Sequence, residues 1–307
     1  MFVPIMKMNK TLKKKKLLLT GTTGFIGYKF LSFALSNNFL VIDILRAKNK
    51  KNNKIIKLKK KYQSQYKNIF FDNNNDLSKK LKNIKVDYFI NFATLYNNNH
   101  LHNQIPNFIN SNILFPTLIY DKISYTTKKV INFGSMMQHS RNELLTSKNL
   151  YAATKNAFEM IGNYYADINS QTKFYNIKFY ESFGDNDPRK KIIPTIINNY
   201  KKNITTKIIS KQLSLNIIHT DDIINSIMIL LNNNIKAGSY CIKNTYNINI
   251  SNLITNLNKE LNKKIKVKFG NKSITSNNYN ILKILPKWKP TKNLENLILK
   301  TFKNETN

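Results

Sequence analysis

The stretch Leu17-Leu18-Leu19-Thr20-Gly21-Thr22-Thr23-Gly24-Phe25-Ile26-Gly27 (LLLTGTTGFIG) sits just inside the N-terminus. An apolar run enters three glycines spaced three apart, and GYKFLSFALSNN (27–38) leaves them with the apolar recurrence of a helix. In a strand–turn–helix context each glycine has a task. The first permits the tight turn, the second lets backbone approach a pyrophosphate, and the third allows close helix–strand packing. The helix N-terminus then offers free N–H groups and the positive end of its dipole to phosphate. The stretch predicts a dinucleotide site, with Gly21, Thr23, Gly24, Phe25, Ile26 and Gly27 as cofactor contacts.

Working outward, apolar runs alternate with helical patterns. FLVIDIL (39–45), NIFFD (68–72), VDYFINFA (86–93), KKVINFGS (128–135) and KFYNIKFY (173–180) read as strands. Helices are expected at LSKKLKN (77–83), 105–124 and 150–168, while 47–69 reads as a polar loop with some helix. This spacing predicts an α/β fold, a doubly wound parallel sheet of Rossmann type. After Gly184 helix and strand mix at shorter spacing, predicting a smaller C-terminal α/β lobe. The expected division is 1–183 for the dinucleotide and 184–307 for the substrate, with segments near 214–222 and 238–246 returning to the first part. Ser251 is a candidate N-cap for a helix over 250–264.

The 307 residues carry 50 Lys and Arg against 16 Asp and Glu, a formal charge of +34. Only three of the basic residues are arginine (Arg46, Arg141, Arg189), and lysine occurs in every segment beside abundant asparagine. An interface for phosphate backbone or base edges would favour arginine forks in a confined patch. Nucleic acid is therefore not the expected partner. No apolar run approaches the roughly 20 residues of a membrane span. The opening MFVPIMKMNKTLKKKKLLLT has a basic run but only three leucines where a signal peptide needs a longer apolar core. A cytoplasmic protein is expected, and the single Cys241 suits a reducing compartment.

NAD sites usually end the second strand with a carboxylate for the ribose hydroxyls. Here Asp43 falls short of that end, and Leu45-Arg46 stands there, with Lys48 and Lys50 following. A guanidinium suits a 2′-phosphate, so NADP(H) is favoured, with NAD(H) as the rival. LYAATKNAFEMIG places Tyr151 and Lys155 four apart on one helix face, behind a strand ending at Ser135. A phenol can pass a proton to a carbonyl oxygen, a serine hydroxyl can bind the same oxygen, and a lysine ammonium can lower the phenol pKa and hold ribose. Ser135, Tyr151 and Lys155 are the candidate catalytic set. Of the four histidines, His100 and His102 have no third ligand beside them, so no metal site is expected. Asp221 and Asp222 read as helix capping or lobe docking, Trp288 as packing in the small lobe, and Cys241 as core.

Over residues 15–300 the chain resembles the extended short-chain dehydrogenase/reductase family, the NAD(P)-dependent nucleotide-sugar epimerases, dehydratases and reductases. TGTTGFIG matches the glycine signature, and Asp72 matches the aspartate that holds adenine. NFAT (91–94) matches the stretch passing the cofactor, which implies contacts from Phe92, Ala93 and Thr94. Asn112 fits a structural asparagine counted with the cofactor set, and Ser135, Tyr151 and Lys155 match the catalytic trio. ESFGDND (181–187), NIIHTDDI (216–223) and PKWKPTKNLENLI resemble later signatures of the family. Dehydratases of the family carry Asp-Glu after the catalytic hydroxyl, and this chain has Met136-Met137, which transfer no protons. The gap of 16 residues from Ser135 to Tyr151 resembles a branch containing CDP-abequose synthase-like reductases.

The resemblance implies NADPH-dependent reduction of the 4-keto group of a nucleotide-activated 6-deoxyhexose, for surface polysaccharide synthesis, by a homodimer. An NAD-dependent 4-epimerase and a noncatalytic dinucleotide-binding protein are the alternatives. Two departures stand out: Lys178 replaces the usual arginine, and, more seriously, Leu215-Asn216 replaces an Arg-Asp whose arginine grips the substrate diphosphate, while Gly134 and Phe183, in place of more usual polar or tyrosine residues, matter less. Lys211 and Lys202 are the candidate replacements for that arginine.

Overall fold

The strand that enters the glycine turn is an interior strand of a seven-stranded sheet in the computed structural model, which describes residues 14–144, 146–272, 281–291 and 293–306. Most of the basic opening weighed above as a leader, residues 1–13, lies outside the described residues. In chain order β1 (Lys16–Thr20), α1 (Phe25–Ser36), β2 (Leu40–Arg46), α2 (Asn53–Lys61), β3 (Tyr66–Phe71), α3 (Asn74–Leu81) and β4 (Tyr88–Asn91) form the first half. The stretch 105–124, read as one helix, is α4 (Ile105–Ile109), a π-helical turn (Asn110–Leu114) and α5 (Phe115–Ile123). Then follow β5 (Lys129–Phe133), α6 (Leu150–Ile168) and β6 (Lys173–Lys178).

The C-terminal part comprises β7 (Glu181–Phe183), α7 (Ile192–Lys201), β8 (Thr206–Ile208), β9 (Ser214–Leu215), β10 (Ile217–His219), α8 (Thr220–Asn232), β11 (Gly238–Cys241), β12 (Ile248–Asn249), α9 (Ile250–Glu260), β13 (Val267–Phe269) and α10 (Leu294–Thr306).

The sheet order is 3-2-1-4-5-6-11, and every neighbouring pair is parallel. Its strands are apolar on both faces because both are covered, as in parallel sheets generally. Leu17 and Leu19 join one core cluster with α1 and α8, whereas Leu18 joins the opposite cluster with α3, α5 and α6. Strand order reverses between β1 and β4, which opens a crevice at their C-terminal ends. A third cluster, including Phe183, Ile197, Leu253 and Phe302, is the core of the C-terminal lobe.

The chain rejoins the main sheet through β11, which pairs with β6. β10 instead pairs with β7 in a separate two-stranded sheet. Trp288 corrects its sequence reading. It belongs to the cluster beneath the main sheet, where its indole donates to the Asp222 carbonyl at 3.0 Å. Asp222 does the capping and docking anticipated for it, accepting from the His219 amide and from the amide and hydroxyl of Thr291. The helix α9 is capped by Asn249, whose side chain accepts from the Asn252 amide, because it begins one residue before the expected Ser251.

A polar row crosses this apolar sheet. Thr20 donates to Asn91 at 2.6 Å, Asn91 to Asn132 at 2.9 Å, and Asn132 to Asn176 at 2.8 Å. All four side chains are buried and sit opposite one another on β1, β4, β5 and β6.

Candidate functional site

The glycine turn is built by steric need. Gly21 has φ +70°, and a Cβ there would stand 2.4 Å from the Ala93 amide nitrogen. A Cβ at Gly27 would stand 2.4 Å from the Gly21 carbonyl oxygen. Gly24 is the N-cap of α1 and has no side chain to satisfy the first N–H groups, which leaves them for an anion. These features fit a dinucleotide pyrophosphate. A cleft of about 360 Å³ opens over the turn. Its walls include Thr23, Phe25, Ile26, Phe92 and Thr94 from the expected set, and also Ser135, Tyr151 and Lys155. Three distant segments of the sequence therefore meet where the glycines are.

Arg46 and Asp72 line a second hollow with Lys48, beyond the end of β2. Arg46 is exposed there, its guanidinium 3.3 Å from the Ser111 hydroxyl. Asp43 is buried in the opposite sense, accepting from Thr22 at 2.7 and 2.8 Å and from the Tyr66 hydroxyl at 2.6 Å. Burial pushes its carboxyl up to about 7 against those hydrogen bonds. It is not presented to a ribose. Ala93 and Asn112 line neither hollow. Ala93 forms the backbone against which Gly21 packs. Asn112, buried in the π-helical turn, spends its amide on Leu95, Thr94 and Thr154, and so fixes Thr94 from behind. Local π-turns often mark such sites.

Tyr151 and Lys155 face the cleft from the first turns of α6, which is capped by Asn149. The sequence reading expects Lys155 to lower the Tyr151 pKa. The phenol is instead pushed well above its usual range, by burial first, with Tyr96 and Glu181 acting in the same direction. Burial also lowers the Lys155 ammonium to about 8. Desolvation overrides the pairing, so Tyr151 stays a phenol able to donate.

Several residues at the site were not picked out from sequence. Tyr96 meets Tyr151 edge-on at 4.9 Å, and the Lys191 ammonium lies 4.8 Å from the Tyr96 ring centre while pairing with Glu181 at 3.1 Å. Arg189 stacks over Phe25 at 4.8 Å and is held by Asp187 at 2.6 Å and the Ser182 carbonyl at 3.0 Å. An adjoining cavity of about 290 Å³ shares Ser135, Met137 and Tyr180 with the first and runs to Leu213, Leu215 and Asn216 of the lobe. Among its described lining residues the cation is Lys148 and the carboxylate is Glu181. Lys211 and Lys202 line neither cavity.

The sequence profile of the NAD dependent epimerase/dehydratase family matches residues 17–248, and the chain belongs to that family. It is 28% identical over 218 residues to a CDP-abequose synthase of Yersinia pseudotuberculosis, covering 70% of this chain and 73% of that protein. A CDP-abequose synthase of Salmonella typhimurium is 25% identical over 243 residues, covering 75% and 74%. Among solved structures, a UDP-glucuronic acid 4-epimerase from Bacillus cereus in complex with UDP-glucuronic acid and NAD superposes with TM-score 0.75 at 17% identity, over 94% and 99% of the chains. A UDP-N-acetylglucosamine 4-epimerase from Methanobrevibacter ruminantium gives 0.76 at 19%, over 95% and 98%. The chain is thus an NAD(P)-dependent nucleotide-sugar oxidoreductase or epimerase. No helix among the described residues is long and apolar enough to cross a membrane.

Proposed function

We propose that this family member reduces the 4-keto group of a nucleotide-activated 6-deoxyhexose with NADPH. The observation that carries the reading is the convergence of Ser135, Tyr151 and Lys155 on the cleft of the glycine turn, with an apolar Met136-Met137 wall directly after the serine. The turn holds the pyrophosphate, Asp72 and Arg46 flank the adenosine end, and Lys155 holds ribose. Bound there, the dinucleotide supplies the hydride. Ser135 binds the substrate oxygen, and Tyr151, kept protonated by its buried setting, delivers the proton. Methionines beside the serine offer no acid or base for water elimination, which disfavours dehydration.

Two features support NADPH. Arg46 is exposed at the end of β2 with Ser111 as its hydrogen-bond partner, and Asp43 is turned into the core. The similarity to CDP-abequose synthases supports the substrate class. In this reading residues 1–183 serve the cofactor and 184–307 the nucleotide sugar, and the product feeds surface polysaccharide synthesis in the cytoplasm. Met160, Tyr164 and Ile168 form an exposed apolar stripe at four-residue spacing on α6, which supports a homodimer. A panel of nucleotide 4-ketosugars with NADPH and NADH, followed by absorbance loss, tests the reading. Faster oxidation of NADPH by a 4-keto-6-deoxyhexose is the expected result. Tightly copurifying NAD with no net oxidation would instead establish the 4-epimerase.

A further inference from the structure

Behind Ser135 lies a buried polar cluster that the reaction above does not use. The Ser135 amide donates to Gln138 Oε1 at 2.8 Å, and the Ser135 hydroxyl accepts from the Met137 amide at 3.2 Å. Gln138 is wholly buried, and its Nε2 donates to Asn156 Oδ1 at 2.6 Å and Glu159 Oε2 at 2.8 Å. Both of those partners are on α6. Asn156 returns a bond to the Gln138 carbonyl at 3.3 Å and donates to Ser147 at 2.8 Å. Glu159 follows Lys155 by four residues, as Lys155 follows Tyr151, so all three share one stripe of the helix.

The cluster is closed by charge. Lys178 Nζ lies 2.8 Å from Glu159 Oε2 and 2.9 Å from His139 Nε2, and Ser239 donates to the other Glu159 oxygen. Burial opposes the Glu159 charge, but the Lys178 ammonium and these hydrogen bonds outweigh it and leave the carboxyl below its usual range. An ionised carboxylate only accepts, which fixes the orientation of the Gln138 amide: nitrogen to Glu159, oxygen to Ser135. Gly134 completes the fit. A Cβ there would stand 2.4 Å from Gln138 Oε1, 2.9 Å from Lys178 Cγ and 3.1 Å from Asn176 Nδ2. The glycine leaves room for the glutamine.

We propose that Gln138 is the positioning residue of this site, tying the Ser135 turn through Asn156 and Glu159 to the helix that carries Tyr151 and Lys155, with Gly134 as the vacancy that admits it. The proposal rests on the assignment of Ser135 to the substrate oxygen. Without the amide the serine turn keeps its backbone bonds to Ile177 and Phe179 and loses its tie to α6, on which Tyr151 and Lys155 ride. A displacement of an ångström at a substrate-orienting group is enough to lower a rate by roughly 100-fold.

The test uses the full chain and two independent readouts. Crystal structures of the unmodified protein and of Gln138→Met with NADPH should show the Ser135 hydroxyl displaced while Tyr151 and Lys155 superpose. Turnover of Gln138→Met should fall by roughly ten- to 100-fold, with the NADPH Kd unchanged. Gly134→Ala should lower both Tm and turnover, and adding Gly134→Ala to Gln138→Ala should lower Tm by less than it does in the unmodified chain, because the shortened side chain no longer meets the new methyl and only the Lys178 and Asn176 contacts remain. An unmoved Ser135 in Gln138→Met overturns the proposal. So does a loss of Tm with normal turnover, which would make the cluster purely structural. If no nucleotide 4-ketosugar is reduced by the unmodified protein, the functional reading fails, and the crystal structures and the Tm comparison still decide the role of Gln138.

Discussion

The cofactor cleft and the cavity beside it share Ser135, Met137 and Tyr180, yet they are made by different means. The cleft is backbone and positive charge: three glycines, the open end of α1, and the cations Lys155, Arg189 and Lys191, with no carboxylate among its described lining residues. The neighbour is side chain and nearly balanced charge, with Lys148 set against a Glu181 that Lys191 already engages. A pyrophosphate held by N–H groups needs only a turn of the right shape, which sequence drift toward lysine and asparagine leaves intact. A substrate held by side chains can be exchanged by a few substitutions.

The most drastic way to test the shared wall is Tyr151→Phe, which keeps the ring against Tyr96 and removes its proton. Turnover should fall by roughly 100-fold or more while NADPH affinity stays nearly constant. Near-normal turnover on a verified substrate would remove the catalytic assignment altogether. Lys155 offers a different measurement, since burial lowers its ammonium from 10.5 to about 8 in the folded, cofactor-free chain. Between those values the unfolded chain binds more protons, so stability rises with pH across that window and the full penalty applies below pH 8. Lys155→Met should stabilise the cofactor-free protein by roughly 3 kcal/mol at pH 7, with the advantage fading toward pH 10. Thermal melts across that range would show it, and a pH-independent difference would refute it.

Smaller effects separate the two cavities. Arg46→Ala should weaken NADPH by roughly tenfold or more and leave NADH almost untouched, as titration of each cofactor would show. Equal losses for both would mean that Arg46 serves the adenine alone. On the substrate side Lys148→Ala should weaken a nucleoside diphosphate such as CDP by roughly threefold, and Glu181→Gln should strengthen it by a similar factor. Calorimetry with CDP gives both signs. Parallel changes in the two variants would show that the cavity does not take the diphosphate.

The same contrast governed what could be read beforehand. The parallel sheet was legible because buried strands such as LLLT and KVINF are apolar on both faces and recur between helical patterns. The glycines and the Ser135, Tyr151 and Lys155 set carry fixed spacings, so one stretch names the site. Arg189, Lys191 and Lys148 carry none. They stand on irregular turns, and Ser182 and Glu181 of β7 decide where Arg189 and Lys191 point. Burial was equally hidden. The raised phenol of Tyr151 follows from desolvation that no spacing reveals. Trp288 was placed with its neighbours in sequence, whereas α8 and the segment around it pack beneath the main sheet.

The row formed by Thr20, Asn91, Asn132 and Asn176 has a consequence for how the chain finds its fold. Strands that are apolar on both faces contain little to distinguish the correct alignment from one displaced along the neighbour, because leucine meets leucine or isoleucine either way. A side-chain amide has no such tolerance. Sliding any of these four strands would bring its polar group opposite a hydrocarbon and leave its one or two partners in the row unpaired in the dry interior, at about 1–3 kcal/mol for each unsatisfied group. The row therefore acts as a key cut for one lock. It contributes little to the gross cohesion of the sheet, and it penalises every misassembled version of it.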